Sequence, residues 1–127
     1  MIVAGVGCRR GTSPEEIVSL IFAALARFEI ARERLDAIAT EAAKADEPGI
    51  AGAARCLSMR LIRIALPDLD RVADKVVTRS LRVQALKGVP SIAEASALVA
   101  AGHNARLLGA RIAADKATCA IAIGEGS

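Results

Sequence analysis

The sequence predicts an α/β protein: a single three-layer α/β/α domain with a mixed sheet and a C-terminal hairpin, spanning residues 1–127. Three observations carry this. Short apolar runs alternate with segments of helical periodicity, the pattern of a layered α/β domain. The last third ends in two apolar runs around a short turn, which reads as an antiparallel pair, so strand directions are mixed. The length of 127 residues fits one domain, and no linker, low-complexity segment or repeat period divides it.

Each element follows from local chemistry. Ile2 to Gly7 is short, apolar and bounded by glycines, as a buried strand would be. After a glycine loop, Ser13 can cap a helix, Pro14 fits its first position, and Glu16 completes a capping box. Ile17, Leu20, Ile21, Ala24, Leu25 and Phe28 then recur at helical spacing. Leu35 to Ala43 predicts a second strand. A short helix starts within "KADEPG" (Lys44 to Gly49), with Pro48 in its first turn and Asp46 as a possible cap. Arg60 to Ala65 predicts a third strand, and Pro67 opens another short helix. Val72 to Lys87 has no clear period and reads as partly loop. Gly88 to Gly102 is helical, with a second capping box at Ser91 and Glu94 and a glycine past its end. Ala105 to Arg111 and Lys116 to Ile123 predict two strands around a turn at Ala113 to Asp115.

Composition excludes several classes. Hydrophobic residues make up 54% of the chain and mean hydropathy is +0.41. Much of this is alanine, so the core should be close-packed and light on bulky groups. A membrane-spanning helix needs roughly 20 consecutive apolar residues. The run Ile17 to Ala26 is far shorter and contains Ser19. The N-terminus lacks the basic, apolar and cleavage-site pattern of a secretion signal. The expectation is a cytoplasmic protein without membrane contact. Seventeen Lys and Arg against fourteen Asp and Glu give +3, mildly favourable to anions. Nucleic acid is not expected, because Phe22 and Phe28 are the only aromatic residues that could stack on bases. Cys8, Cys56 and Cys119 are odd in number and far apart, which argues against a disulfide framework or a metal pair. No metal and no cofactor is expected.

In an open α/β sheet, ligands sit beyond the carboxyl ends of the strands. "GCRRGTS", "KADEPG" and "GVPSIAE" could meet there, each before a helix N-terminus whose free N–H groups favour anions. Arg9 and Arg10 add planar, bidentate donors for carboxylate or phosphate. The glycines would let the backbone approach a ligand. The bland reading of the same loop is a tight turn with solvated arginines. The loop is neither a phosphate-binding Walker sequence nor a dinucleotide fingerprint, since the Lys-Ser/Thr pair and the glycine spacing are missing. Cys8, near a helix start and two arginines, could be an activated thiol. No histidine lies near it in sequence, and His103 follows a helix in a turn, so Cys8 reads as a packing residue. Lys44, Asp46 and Glu47 form either a polar site or a charged helix start. Glu94 is first of all a cap.

"GVGCRRGTSPEEI", "KADEPGI", "GVPSIAEASALVAAG" and the terminal "KATCAIAIG", in this order, resemble the CobE family of cobalamin biosynthesis. That family is similar to the C-terminal domain of CbiG, the cobalt-precorrin-5A hydrolase. The resemblance covers nearly the whole chain and is poorest over Val76 to Leu86. It implies a small three-layer α/β domain with a role in corrin-ring synthesis. It also implies contact residues by position: Gly7, Cys8, Arg9, Arg10, Gly11, Thr12, Ser13, Lys44, Asp46, Glu47, Ser91 and Glu94. The expected partners are a precorrin or corrin intermediate and other enzymes of the pathway.

Two functions follow from the resemblance, and a third from the loop alone. The first is a carrier or accessory protein that holds a carboxylate-rich intermediate. The second is an enzyme of lactone opening or acyl hydrolysis, using Lys44, Glu47 or Cys8. The third is a nucleotide- or phosphate-binding module. Binding is preferred, because no orienting acid–base pair is evident. The capping assignment has its own test: Ser91→Ala should lower stability by about 1 kcal/mol in thermal melts. An unchanged melt would mean that the helix starts elsewhere.

Overall fold

In the computed structural model, which describes residues 1–72 and 92–126, the first strand β1 (Ile2–Cys8) has no face turned to water: Ile2 through Val6 are all buried. Both sides must therefore be covered. Ile2, Ala4 and Val6 meet Ile17, Leu20, Ile21 and Leu25 of α1 (Pro14–Arg27) and Ile50 and Ala53 of α2 (Pro48–Cys56). On the other side, Val3 meets Leu69 of α3 (Leu66–Arg71) and Ala95, Ala97, Leu98 and Ala101 of α4 (Ile92–Ala101). Helices on both faces of one sheet make the three layers that the pattern of apolar runs predicts. Each fully buried Ile or Leu stabilises the fold by about 1.5–3 kcal/mol.

The described residues form a six-stranded sheet. From one edge, β3 (Arg60–Ile64), β2 (Ala37–Glu41) and β1 run parallel. β6 (Ala117–Ile123) then pairs antiparallel with the whole of β1, from Ile2 opposite Ile123 to Cys8 opposite Ala117. Beyond β6 lie β4 (Arg106–Leu107) and β5 (Ile112–Ala113), both antiparallel to it. The sheet is mixed, as the terminal hairpin requires.

Local signals place most elements. Ser13 caps α1, its Oγ accepting the Glu16 N–H at 3.2 Å, with Pro14 first in the helix and Glu15 and Glu16 in its first turn. The second strand is shorter than the expected Leu35 to Ala43. Leu35 and Asp36 link it to a 3₁₀ turn at Arg32–Arg34, and Ala42 and Ala43 are drawn into another at Ala42–Lys44. Alanine has little preference for extended backbone, so tertiary contacts set these ends. Asp36 marks the start: its N–H donates to Ile2 O at 2.9 Å, and its Oδ2 accepts the Ile2 N–H at 2.7 Å. Asp46 is not the cap of α2. Glu47 holds that position and makes no side-chain bond to its own helix.

The hairpin also differs from expectation. The arm expected over Ala105 to Arg111 is strand only at Arg106–Leu107; a bulge follows, and pairing resumes at Ile112–Ala113, past the expected end. Leu107 stands opposite Ala122 and Ile112 opposite Cys119. The four residues 108–111 therefore face only the two between Ala122 and Cys119, which leaves two extra in the bulge. The Arg111 N–H leaves the ladder and donates to Glu94 Oε2 at 3.1 Å. The turn lies one residue later than expected, closed by Ala114 N–H to Ala117 O at 2.8 Å. The ambiguous stretch Val72 to Lys87 falls, after Val72, outside the described residues, as does Ser91. Among the described residues no helix is long and apolar enough to cross a membrane.

Gly5 is the tightest point between the layers. A Cβ there would run into the carbonyl oxygen of Ala93 and lie 2.7 Å from Ala97 N. Both are helix backbone and cannot swing aside. Gly5→Ala should destabilise the protein by about 3 kcal/mol or more, the upper end of overpacking. Urea unfolding measures this, and a loss under about 1 kcal/mol would show that α4 can lift off β1.

Candidate functional site

The parallel strands end together, at Cys8, Glu41 and Ile64. The loops leaving β1 and β2 are bound to each other there. Gly11 N–H donates to Glu47 Oε1 at 3.0 Å. Gly49 lets α2 begin directly against this loop, since a Cβ at Gly49 would run into the Thr12 carbonyl. Thr12 is buried, and its hydroxyl donates to Arg9 O at 2.7 Å, with Lys116 O at 3.3 Å. Arg9 N–H in turn donates to Lys116 O at 2.7 Å. The arginine loop is thus tied on one side to α2 and on the other to the terminal hairpin.

Between this loop, α4 and the hairpin lies a cleft of about 280 Å³. Gly7 and Cys8 line it from the end of β1, Arg9 from the loop, Ile92 from α4, and Arg111, Asp115, Lys116 and Thr118 from the hairpin, with Ala114 and Ala117. Arg9, Arg111 and Lys116 outweigh the single acid Asp115, while Ile92 and the alanines supply apolar wall. Gly7 stands opposite Thr118 and keeps the floor low. Such a cleft suits a carboxylate or phosphate carried on an apolar frame.

Cys8, Lys44 and Glu47 gather beside the loop, each half-buried. Burial pushes the Cys8 thiol above its ordinary value of 9.0, and the Glu47 charge pushes it further the same way. Lys44 and the Thr12 hydroxyl oppose this without reversing it. The thiol is therefore neutral near pH 7 and a poor nucleophile, since the thiolate is the reactive form. Cys119 is deeper, and burial pushes it up to about 12. No cysteine is paired in a disulfide.

The other expected site residues divide. Ser13 is the cap of α1, and Arg10 is exposed beside the cleft lining. Asp46 turns away, pairing with Arg63 at 3.2 Å beside a separate depression between α2 and β3. That pair is largely exposed and contributes little. Glu94 is fully buried behind the cleft, where it takes the Arg111 N–H. Ser91 lies outside the described residues, and the capping box with it. His103 is exposed at the far end of α4.

Sequence reasoning missed Arg111, Lys116, Thr118 and Ile92. The signal for Lys116 was present: an antiparallel strand pairing along all of β1 must bring its preceding turn beside Cys8. Arg111 carried no such signal, because its place depends on the bulge. Thr40 and Glu41, buried polar residues ending β2, were missed as well. The Thr40 hydroxyl donates to Val6 O at 2.7 Å and stitches the ends of β1 and β2. Among the described residues, no group of three or more His, Cys, Asp or Glu is gathered to hold a metal.

Comparison with known proteins gives a consistent result. The family described as "Cobalamin synthesis G C-terminus" matches residues 2–122. Protein CobE of Sinorhizobium sp is 35% identical over 121 residues, covering 95% of this chain and 79% of the relative. A crystal structure of CobE, "a protein from the cobalamin (vitamin B12) biosynthetic pathway", superposes with a TM-score of 0.91 at 33% identity, covering 100% of this chain and 92% of that one. The cobalamin biosynthesis protein chiG of Agrobacterium tumefaciens str. C58 is similar too, with a TM-score of 0.78 at 38% identity, covering 98% and 99%.

The thiols offer a direct test of the site's electrostatics. Iodoacetamide at pH 7.5 should modify exposed Cys56 first, Cys8 slowly, and Cys119 only on unfolding. Because the Cys8 pKa is raised, its rate should keep climbing beyond pH 9. Peptide mass spectrometry reads each site. Fast alkylation of Cys8 at neutral pH would reverse the assignment and restore it as a nucleophile.

Proposed function

The chain belongs to the family of the cobalamin synthesis G C-terminus and is a protein of cobalamin biosynthesis, and from that premise we propose that it binds a carboxylate-rich precorrin or corrin intermediate as a carrier or accessory protein. The observation that carries this reading is the cleft: Arg9, Arg111 and Lys116 converge on one small space with apolar walls. Corrin intermediates bear acetate and propionate arms on an apolar ring. Ligand pockets that enclose a drug-sized molecule run from about 300 to 1,000 Å³. At about 280 Å³ the cleft is too small for a whole macrocycle, so it takes an arm while the ring lies against the surface.

The carrier role fits the chemistry better than catalysis does. Cys8 is held neutral and is a poor nucleophile, and one oxygen of Glu47 is given to holding the loop through the Gly11 N–H. The 127 residues then act as one binding domain in the cytoplasm, passing a labile intermediate to other enzymes of the pathway.

The test uses cobyrinic acid, a corrin whose acetate and propionate arms are free carboxylates, and its fully amidated form. The acid should bind, co-elute in gel filtration and return chemically unchanged. The amide should bind far more weakly. Arg9→Ala and Lys116→Ala should each weaken the acid by about tenfold, at the low end for charge-assisted bonds because both side chains are exposed. Binding should also fall with salt. Arg63→Ala, which removes a cation away from the cleft, should change nothing. Equal affinity for acid and amide, or indifference to Arg9→Ala, would sink this reading. Turnover of a lactone-bearing precorrin by the protein alone would replace it with the enzyme.

A further inference from the structure

Arg111 is half-buried and lines the cleft, yet its backbone takes no part in the sheet ladder. It ends the two-residue bulge between β4 and β5, on an arm where only Ile112 and Ala113 pair with β6 at this end. Bulges commonly serve to re-aim a side chain. What holds the main chain at Arg111 is Glu94 Oε2, 3.1 Å from its N–H. Glu94 has no solvent exposure and sits in the first turn of α4. That helix is seated on β1 by backbone contact at Gly5. A carboxylate buried at this depth needs strong donors, and a backbone N–H is one of them.

We infer that Glu94 is the positioning residue of the cleft: it does not meet the ligand but clamps the Arg111 backbone, so that the Arg111 guanidinium stands with Arg9 and Lys116 around one carboxylate. The inference rests on reading the cleft as a carboxylate site. It assigns Glu94 a role at odds with the contact that the family resemblance implies. The lining agrees: Arg111 and Ile92 of α4 border the same cleft, while Ile112 packs with the α1 and α2 layer. The bulge lets the backbone reach the carboxylate without moving Ile112 out of the core.

Two readouts test it on the full chain: amide hydrogen exchange at Arg111, and the affinity for cobyrinic acid. Glu94→Ala should speed exchange at Arg111 while leaving the β1–β6 pairs protected. It should weaken the acid by about tenfold, as much as Arg111→Ala does. The double variant should bind no more weakly than Arg111→Ala, since both changes remove the same contact. Glu94→Gln keeps an acceptor oxygen and should rescue both slow exchange and affinity. Where Glu94→Ala does not fold, Glu94→Leu fills the same space without an acceptor. Fast exchange with full affinity, unchanged exchange, additive losses in the double variant, or no rescue by glutamine would each overturn the positioning role. If the wild-type protein takes up no cobyrinic acid, the corrin reading fails. The same cycle with inorganic pyrophosphate then decides the role of Glu94, and binding of neither anion overturns it.

Discussion

Backbone against backbone at Gly5 is the contact on which the rest of the molecule depends. α4 approaches β1 so closely there that no side chain fits between them. The alanines on both sides extend that close approach: Ala93, Ala97 and Ala101 on the helix, with Ala37, Ala39 and Ala122 on the sheet, are all buried. An interior made of small groups gains less from each residue than a leucine-rich one, and compensates by density. Density also has a directional benefit. A helix that rests on backbone cannot slide or rotate far, so what projects from its first turn is held to a fixed depth. Glu94 and Ile92 inherit their places from this contact.

The site is then built by convergence of three independently anchored pieces. Thr12 and Arg9 fasten the first loop to the hairpin through Lys116, and Glu47 fastens it to α2 through Gly11. These bonds use main-chain groups, which leaves the charged ends of Arg9 and Lys116 free to face a ligand. The result is an electrostatic division. On the cleft side, positive charge dominates. On the α2 side, Lys44 and Glu47 oppose each other around a protonated thiol. On the proposed reading, attraction of an anion belongs to the cleft side, apart from the raised thiol.

The architecture was legible because its signals are local. Ser13, Pro14 and Glu16 specify the start of α1 without reference to anything else, and the apolar stripe from Ile17 to Leu25 specifies the face it buries. The strand ends were less legible, because alanine does not say whether Leu35, Ala42 or Ala43 should be extended. In the site, the loop from Gly7 to Thr12 announced itself by glycine and arginine. Asp46 and Glu47 looked equivalent as neighbours in sequence, yet one turns to Arg63 and the other to Gly11. That choice is made by the path of the chain after β2. Arg111 could not be read at all. A regular hairpin is the simplest expectation for two apolar runs, and nothing local in the sequence marks a bulge whose last N–H is taken by a buried carboxylate on a distant helix.

The same bulge has a bearing on how the molecule behaves in company. An open sheet has two edges, and unpaired edge groups can recruit a strand from another molecule. With a mean hydropathy of +0.41, this chain would be a poor candidate for staying dispersed if either edge were long and smooth. At one edge, β3 carries Arg60 and Arg63, both exposed. At the other, the bulge cuts the outermost strand into pieces of two residues each, too short to template a neighbour. Among the described residues, the irregularity that shapes the cleft therefore also blunts an edge of the sheet.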